Sequence, residues 1–166
     1  RAKARTALAE GKAACQPRRM SNPNRPLLDL TASCACGAVS LSVEGQVASM
    51  FMCSCLDCQK GTGTGHSNVV LMPAEAVTMT GEVKRYSRPA DSGATFTRCF
   101  CPECGTMLSG QSSRASGLRM LPAGLFAGQN EWFLPNQLIF ARSHMIWDLI
   151  ADHLPQYQAY RPEKTP

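Results

Sequence analysis

Residues 53–66 read CSCLDCQKGTGTGH, and three of the first six positions of this stretch are cysteines. Two further short motifs also carry cysteines, CAC at 34–36 and CPEC at 101–104. All the cysteines of the chain are Cys15, Cys34, Cys36, Cys53, Cys55, Cys58, Cys99, Cys101 and Cys104. An odd number of closely spaced thiols, seven in the three motifs, argues against a disulfide framework. Metal binding and redox chemistry are the main alternatives.

The spacing of the cysteines favours a metal site over a redox pair. A thioredoxin-like pair begins a helix within a βαβ unit, and neither CLDC at 55–58 nor CPEC at 101–104 lies in such a pattern. Two sulfurs separated by two residues can instead reach one tetrahedral ion from a single tight turn. In CPECG, Pro102 restricts this turn and Gly105 frees the backbone just after the second sulfur.

Seven thiolates divide naturally into a group of four and a group of three. Four sulfurs saturate a structural zinc ion, whereas three leave a fourth position for water or substrate, as in catalytic sites. In one division, CAC and CPEC share an ion and CSCLDC holds a second one. In the other, Cys55 and Cys58 join Cys101 and Cys104 in a zinc ribbon, and the remaining thiols are spare. Spacing alone is compatible with both divisions.

The pattern of apolar residues predicts a mainly β fold with short elements. In AVSLSVEG, at 38–45, apolar residues alternate with small or polar ones, as in a half-buried strand. Further strands are predicted at 67–72, 77–87 (a hairpin about Gly81), 94–100 and 137–142. Only SHMIWDLIADHL, at 143–154, has apolar residues at helical spacing, so we expect a short C-terminal helix with Ser143 as its N-cap.

The positive charge of the chain lies near its N-terminus. Residues 1–26 carry seven basic side chains and one acidic one, whereas residues 27–166 carry ten basic and eleven acidic ones. This second part shows no excess of basic residues for nucleic-acid binding, and no apolar run of about 18 residues predicts a membrane span. We expect a disordered or non-native extension at 1–27, a zinc-binding domain at 28–160, a frayed tail at 161–166, and a cytoplasmic location.

Four motifs, in this order, resemble the glutathione-dependent formaldehyde-activating enzyme family, which includes centromere protein V-like members. They are CACGAVSLSVEG, CSCLDCQKGTG, FCPECGTML and IFARSHMIWDLIADHLPQY, within residues 31–160. The resemblance implies an Mss4-like fold of small antiparallel sheets around zinc, with two zinc ions per chain. It implies a structural zinc on Cys34, Cys36, Cys101 and Cys104, and a second, substrate-associated zinc on Cys53, Cys55 and Cys58.

The resemblance also implies an enzyme, a carbon–sulfur lyase or synthase that joins glutathione to formaldehyde as S-hydroxymethylglutathione. A zinc ion with three thiolates has an overall negative charge, so it polarises a carbonyl weakly but can accept a fourth sulfur. We hypothesise that it delivers a substrate thiol, as a thiolate, to a small aldehyde. The alternative is a non-catalytic zinc module that binds a protein partner.

Three side chains near the second motif are candidates for this chemistry. Lys60 and Arg98 could bind the carboxylates of a substrate such as glutathione. His66, eight positions after Cys58, could shuttle a proton or supply a fourth ligand, although a polar residue that opens the next strand is the simpler interpretation. No ligand role is predicted for Cys15 or Cys99.

Overall fold

The computed structural model describes residues 25–162, in which the chain forms eleven strands, one α-helix and four short 3₁₀-helices. The strands are β1 (Leu27–Ser33), β2 (Ser40–Gln46), β3 (Ser49–Cys53), β4 (Ser67–Pro73), β5 (Val77–Thr80), β6 (Lys84–Pro89), β7 (Thr95–Phe100), β8 (Met107–Ser112), β9 (Leu118–Pro122), β10 (Leu138–Ile139) and β11 (Gln156–Tyr157). The α-helix is α1 (Leu56–Thr62), and the 3₁₀-helices are Ala74–Ala76, Ser113–Ala115, Ala123–Phe126 and Ala141–Ser143. The prediction of a mainly β fold is confirmed.

The strands form two sheets. The smaller sheet is antiparallel, in the order β1-β2-β5, and the larger sheet has the order β11-β10-β3-β4-β9-β8-β7-β6. Within the larger sheet, β10 runs parallel to both of its neighbours, whereas the other pairs are antiparallel. The larger sheet is therefore mixed at one edge.

The main apolar core joins the two sheets. Leu41 and Val43 of β2 are buried and alternate with exposed residues, so β2 turns one face toward the larger sheet. They share one buried cluster with Met50 of β3 and Val70 of β4. The sheets are held together mainly by the removal of this apolar surface from water.

The hairpin predicted for residues 77–87 is wrong, because its two strands belong to different sheets. Strand β5 pairs with β2 in the smaller sheet, and β6 pairs with β7 in the larger one. Between them, Gly81 has a φ of 110°, and a Cβ there would lie 2.4 Å from the carbonyl oxygen of Ala38. A glycine is therefore needed at position 81, because the backbone at Ala38 leaves no room for a side chain where the chain passes from one sheet to the other.

The helix predicted at 143–154 is also wrong, since the described residues of this segment form only turns after the 3₁₀-helix that ends at Ser143. An isolated amphipathic helix of this length is stable only if its apolar face is buried. Here Ile146 is 96% exposed and Leu149 90% exposed, and Trp147 is exposed too. The segment is held instead by polar contacts of Asp148, described below.

The zinc-binding domain predicted for residues 28–160 lies within the described residues. Strand β1 begins at Leu27. The extension predicted for 1–27 lies outside the described residues except for its last three positions, and the tail predicted for 161–166 lies outside them except for its first two. Within residues 25–162, none of the helices has the length and apolar composition that a membrane crossing requires.

Candidate metal centres

Four cysteines that are distant in sequence meet at one point in the fold. They are Cys34 and Cys36, between β1 and β2, and Cys101 and Cys104, between β7 and β8. Their sulfurs all lie within 4.8 Å of one another, with 3.5 Å between Cys34 and Cys36 and 3.8 Å between Cys36 and Cys101. A tetrahedral zinc site with Zn–S bonds of about 2.3 Å needs S–S separations of about 3.8 Å. The four thiols therefore fit a zinc ion, whereas a disulfide would need about 2 Å.

In both halves of this first cluster, a tight turn ends at a glycine. The N–H of Gly37 donates to the Cys34 carbonyl, and the N–H of Gly105 donates to the Cys101 carbonyl, each at 3.0 Å. The φ angles of the two glycines are 78° and 73°, in the left-handed region that favours glycine. The backbone role predicted for Gly105 is confirmed.

A threonine just after the CPEC motif links the two halves. The Thr106 hydroxyl accepts from the N–H of Ala35 at 3.1 Å and lies 3.2 Å from the sulfur of Cys104. Its hydrogen bond to that sulfur lowers the pKa of Cys104 to about 5. No sequence signal points to Thr106, because nothing in its position in the chain shows a contact with residue 35.

Three other cysteines form a second cluster around the start of α1. Cys53 ends β3, Cys55 is the N-cap of α1, and Cys58 lies in its first turn. The N–H of Cys58 donates to the sulfur of Cys55 at 3.4 Å, so a thiol replaces the usual capping oxygen. The helix ends where Gly63 adopts a φ of 71°. This short helix places all three sulfurs within 4.8 Å of one another.

Electrostatics distinguish the three thiols of the second cluster. Hydrogen bonds from the Cys53 and Cys58 thiols lower the pKa of Cys55 to about 2. The contact with Cys55 in turn raises the pKa of Cys53. The Cys53 thiol and the charge of Arg98 lower the pKa of Cys58, but Cys55 and burial outweigh them and raise it to about 12. The three sulfurs therefore lie close enough to affect one another's ionisation, as the ligands of one metal ion do.

The structure groups the cysteines as four and three. Within residues 25–162, no further cysteine, histidine or carboxylate joins either cluster. The zinc-ribbon alternative, which combines the thiols at 55 and 58 with those at 101 and 104, does not match this grouping. Cys99 lies on β7 in neither cluster, and Cys15 lies outside the described residues.

The second cluster lies in the wall of a cleft of about 1070 Å³. Next to the thiols the wall is apolar, with buried side chains of Phe51, Val69 and Phe140. Elsewhere it is basic, since six basic and only two acidic side chains line the cleft. The basic residues are Lys60, Arg88, Arg98, Arg114, Arg142 and Arg161. Such a cleft suits a ligand that carries negative charge.

Both predicted substrate-binding residues line this cleft. Lys60 is exposed in the last turn of α1. Arg98 extends from β7 to α1, where its guanidinium donates to the carbonyl of Asp57 at 2.5 Å. This guanidinium lies against Gly61, because a Cβ there would be 2.4 Å from one of its nitrogens. Arg98 is therefore fixed beside the second cluster.

His66 lies apart from the second cluster. Its Nδ1 is 2.7 Å from a carboxylate oxygen of Asp148, and Nε2 of His144 is 2.5 Å from the Asp148 carbonyl. Among the described residues, His66 neither joins the cysteine cluster nor lines the cleft. The contact between positions 66 and 148 spans 82 residues, so the sequence pattern did not indicate it.

Two further residues shape the second site without a sequence signal. The Gln59 amide donates to the carbonyls of Ser54 and Ser143, at 2.8 and 2.7 Å, and so ties the cysteine loop to the 3₁₀-helix beyond β10. Phe140 is buried with a φ of 60°, a left-handed conformation that is unfavourable for a bulky residue. This conformation ends β10 and helps to form the apolar wall of the cleft.

The fold and the site define a β-sheet domain with two cysteine clusters that are suited to metal ions. The sequence matches the model of the family described as glutathione-dependent formaldehyde-activating enzyme over residues 29–143. The chain belongs to this family, as the sequence motifs predicted.

Curated relatives bear names of the same kind. A protein of Penicillium rubens is 32% identical over 92 residues, which are 55% of this chain and 48% of the relative. One of Sordaria macrospora is 26% identical over 109 residues, 62% of this chain and 46% of the relative. Both are provisionally named glutathione-dependent formaldehyde-activating enzymes, and the chain spans about half their length. A crystal structure of a Rhodobacter sphaeroides protein aligns with a TM-score of 0.49 and 16% identity, over 61% of this chain and 92% of that one.

Proposed function

We propose that the protein is a zinc-dependent carbon–sulfur lyase or synthase that joins a glutathione-like thiol to a small aldehyde such as formaldehyde. The observation that carries the proposal is the three-thiol cluster in the wall of a basic cleft. Membership of the family, and the names of the relatives, support the choice of substrates. So dense a set of thiols persists in a reducing compartment, which supports a cytoplasmic location.

The proposal assigns two zinc ions to each chain on an Mss4-like fold. The structural ion would be held by Cys34, Cys36, Cys101 and Cys104, and the second by Cys53, Cys55 and Cys58. When bound at the second cluster, zinc would accept the substrate thiol as a fourth, deprotonated sulfur and so make it a nucleophile.

The residues of the cleft would bind and orient the two substrates. Arg98 and Lys60 would attract the carboxylates of the thiol toward the second cluster. The apolar side chains of Phe51, Val69 and Phe140 would exclude water around the reacting sulfur, where formaldehyde would enter. Holding both reactants together would convert a bimolecular reaction into an effectively unimolecular one.

His66 is the candidate for proton transfer, and because it does not line the cleft, the proton would have to pass through a water molecule. Asp148 accepts a hydrogen bond from Nδ1, which leaves Nε2 of His66 as the basic nitrogen. If His66 exchanges the proton of the substrate thiol or of the product alkoxide, His66→Gln will flatten the pH dependence of turnover. Unchanged turnover at every pH would remove His66 from the mechanism.

The direct test combines metal analysis with an assay of the reaction. Purified protein should contain two zinc ions per chain and should accelerate the loss of ¹³C-formaldehyde to S-hydroxymethylglutathione, followed by NMR. The Cys55→Ser variant should keep one zinc ion and lose the acceleration. If the wild type does not exceed the uncatalysed rate, glutathione and formaldehyde are not its substrates.

A second candidate is the non-catalytic zinc module that binds a protein partner. The exposed apolar side chains of Ile146, Trp147 and Leu149 favour it, because such a patch is common at protein interfaces. The two candidates differ in which residues matter. Replacing Ile146 and Leu149 by serine would abolish partner binding in the second case, whereas it would leave the enzymatic reaction unchanged in the first.

A further inference from the structure

Two arginines on neighbouring strands reach the same residue of the cysteine loop. Arg88 of β6 and Arg98 of β7 are diagonal neighbours on one face of the sheet, since Arg88 pairs with Phe96 and Arg98 with Tyr86. The guanidinium of Arg88 lies 2.9 Å from the carboxylate of Asp57, and that of Arg98 donates to the Asp57 carbonyl. Arg88 therefore pairs with the carboxylate, whereas Arg98 contacts only the backbone of the same residue.

These two guanidiniums also have unused donors. Within residues 25–162, the Nε atoms of Arg88 and Arg98 are both buried and have no hydrogen-bond partner. A buried N–H without an acceptor is costly, and folded proteins rarely keep one without a reason. Both side chains line the cleft. An anion bound in the cleft would balance the charge of Arg98, which pairs with no carboxylate among the described residues.

We propose that Arg88 and Arg98 form a subsite for a carboxylate of the thiol substrate, and that Asp57 holds the two guanidiniums in place when no ligand is bound. The inference rests on the proposed function and adds the two side chains that would distinguish one thiol substrate from another. Two guanidinium groups can bind a carboxylate well, because each presents paired N–H donors and the carboxylate oxygens accept several hydrogen bonds. Thiols with a carboxylate would bind, and neutral thiols of similar size would bind more weakly.

The position of Asp57 connects this subsite to the second cluster. Asp57 lies between Cys55 and Cys58 and is the only residue that both arginines contact through hydrogen bonds or ion pairs among the described residues. A carboxylate on the arginines would therefore lie beside the loop that carries the thiols. The ligand's own sulfur could then reach the second cluster, which would orient the thiol for attack.

The test separates carboxylate binding from binding through sulfur. S-methylglutathione keeps both carboxylates but has no free thiol, so calorimetric titration of the zinc-loaded protein with it reports the subsite alone. Arg88→Gln and Arg98→Gln should each raise its Kd by about tenfold or more, as expected for the loss of a charged hydrogen bond. The diethyl ester of S-methylglutathione should bind wild type and both variants equally weakly.

Two further variants keep the test specific. Arg85→Gln makes the same change on β6, but residue 85 is exposed and outside the cleft, so the Kd should stay within about twofold. Gly61→Ala should act like Arg98→Gln, because the new methyl group would displace the guanidinium while its charge remains. The circular dichroism spectrum and the zinc content of each variant should match those of the wild type. If Arg88→Gln changes the spectrum or the zinc content, Arg88→Lys should recover part of the affinity.

The outcomes for the subsite and for the proposed function differ. Equal affinity of wild type, Arg88→Gln and Arg98→Gln for S-methylglutathione, or no binding by wild type, would overturn the subsite. Turnover of glutathione and formaldehyde alongside that result would leave the function standing. Conversely, arginine-dependent binding without turnover would support the subsite and refute the proposed reaction.

Discussion

At the scale of single residues, the cysteines differ in burial within each cluster. Cys101 is fully buried and Cys34 nearly so, in a small apolar cluster with Val39 and Leu108. Cys55 and Cys58 are half-buried in the wall of an open cleft. A metal ion at the first cluster would therefore join two thiols of the core to the exposed thiols of Cys36 and Cys104. One at the second cluster would lie in the wall of the cleft, where a ligand can reach it.

Serine substitutions should separate these two roles. Cys101→Ser should destabilise or unfold the domain, because a structural zinc ion supplies on the order of 10 kcal/mol of folding free energy. Cys55→Ser should leave a folded protein with one zinc ion fewer. Zinc content and urea unfolding, measured on the same preparations, test both expectations.

The control is Cys99→Ser, which removes a thiol that lies in neither cluster. It should retain wild-type zinc content and a similar free energy of unfolding. Equal loss of stability in the variants at 55 and 101 would show that the division into structural and functional centres is wrong.

At the scale of elements, the packing of β7 against β8 depends on a glycine. The ring of Phe96 covers Gly110, where a Cβ would lie 2.5 Å from the ring. The same ring lies under the guanidinium of Arg88, 5.6 Å from its centre. Because Gly110 has no side chain, the Phe96 ring can lie close to β8. There the ring contacts the Arg88 side chain, which lines the cleft.

Gly110→Ala should therefore destabilise the domain by about 1–3 kcal/mol through overpacking. The measurement is the free energy of unfolding in urea. Gly117→Ala is the matched control, because a Cβ at residue 117 meets nothing within 4 Å and its φ is not in the left-handed region. Equal stability of the two variants would mean that Phe96 moves aside without cost.

The turns at 144–154 depend on Gly65 in a similar way. A Cβ at residue 65 would lie 2.3 Å from the carboxylate of Asp148 and 2.5 Å from its Cβ. Gly65→Ala should displace Asp148 and break its contact with His66, so limited proteolysis should cut this segment faster than in the Gly117→Ala control. Unchanged cleavage would show that the segment is held by other contacts.

The sequence predicted these elements unevenly, for physical reasons. The spacing of apolar residues along the sequence predicted β2, β4 and β7, since each has the apolar pattern of a half-buried strand. Helix α1 buries no residue and is capped by a cysteine, so it has neither of the signals by which helices are recognised. The segment at 143–154 has the helical spacing, but spacing does not reveal whether a partner surface exists.

The candidate site was predictable to the extent that it is local in sequence. The cysteine motifs suggested two groups, and the resemblance to a family selected the division that the structure shows. Arg88 and Asp57 went unnoticed, because a lone charge in a sequence is usually a solvated one. Their meeting depends on the register of β6 and β7 and on the placement of α1, which spacing does not encode.

At the scale of the whole molecule, the first cluster bridges the two sheets. Cys34 and Cys36 lie between strands of the smaller sheet, and Cys101 and Cys104 between strands of the larger one. One ion held by all four would crosslink the sheets at the end of the apolar core. Its loss should therefore weaken the whole domain and not one loop.

Acid should weaken the domain through these thiols. A metal-bound folded state would hold thiolates, whereas the unfolded chain holds thiols at neutral pH. The unfolded state would then bind more protons, and stability would fall as the pH falls. The melting temperature should therefore decrease on acidification, together with release of zinc. A strong chelator at neutral pH should have the same effect.

The comparison is between melting curves at pH 7.5 and at lower pH, with and without added zinc. Excess zinc should restore part of the lost melting temperature by mass action. A melting temperature that neither acid nor chelator changes would show that no metal contributes to the stability of the fold.

The distribution of charge has a consequence for how fast a ligand arrives. Residues 25–162 carry ten basic and ten acidic side chains, so their formal charges balance. Six of the basic side chains but only two of the acidic ones line the cleft. The rest of this surface therefore repels anions, and the mouth of the cleft attracts them. Diffusional encounter with an anionic thiol should be guided to a single entrance, and this guidance should fade as added salt shortens the range of the field to below about 8 Å.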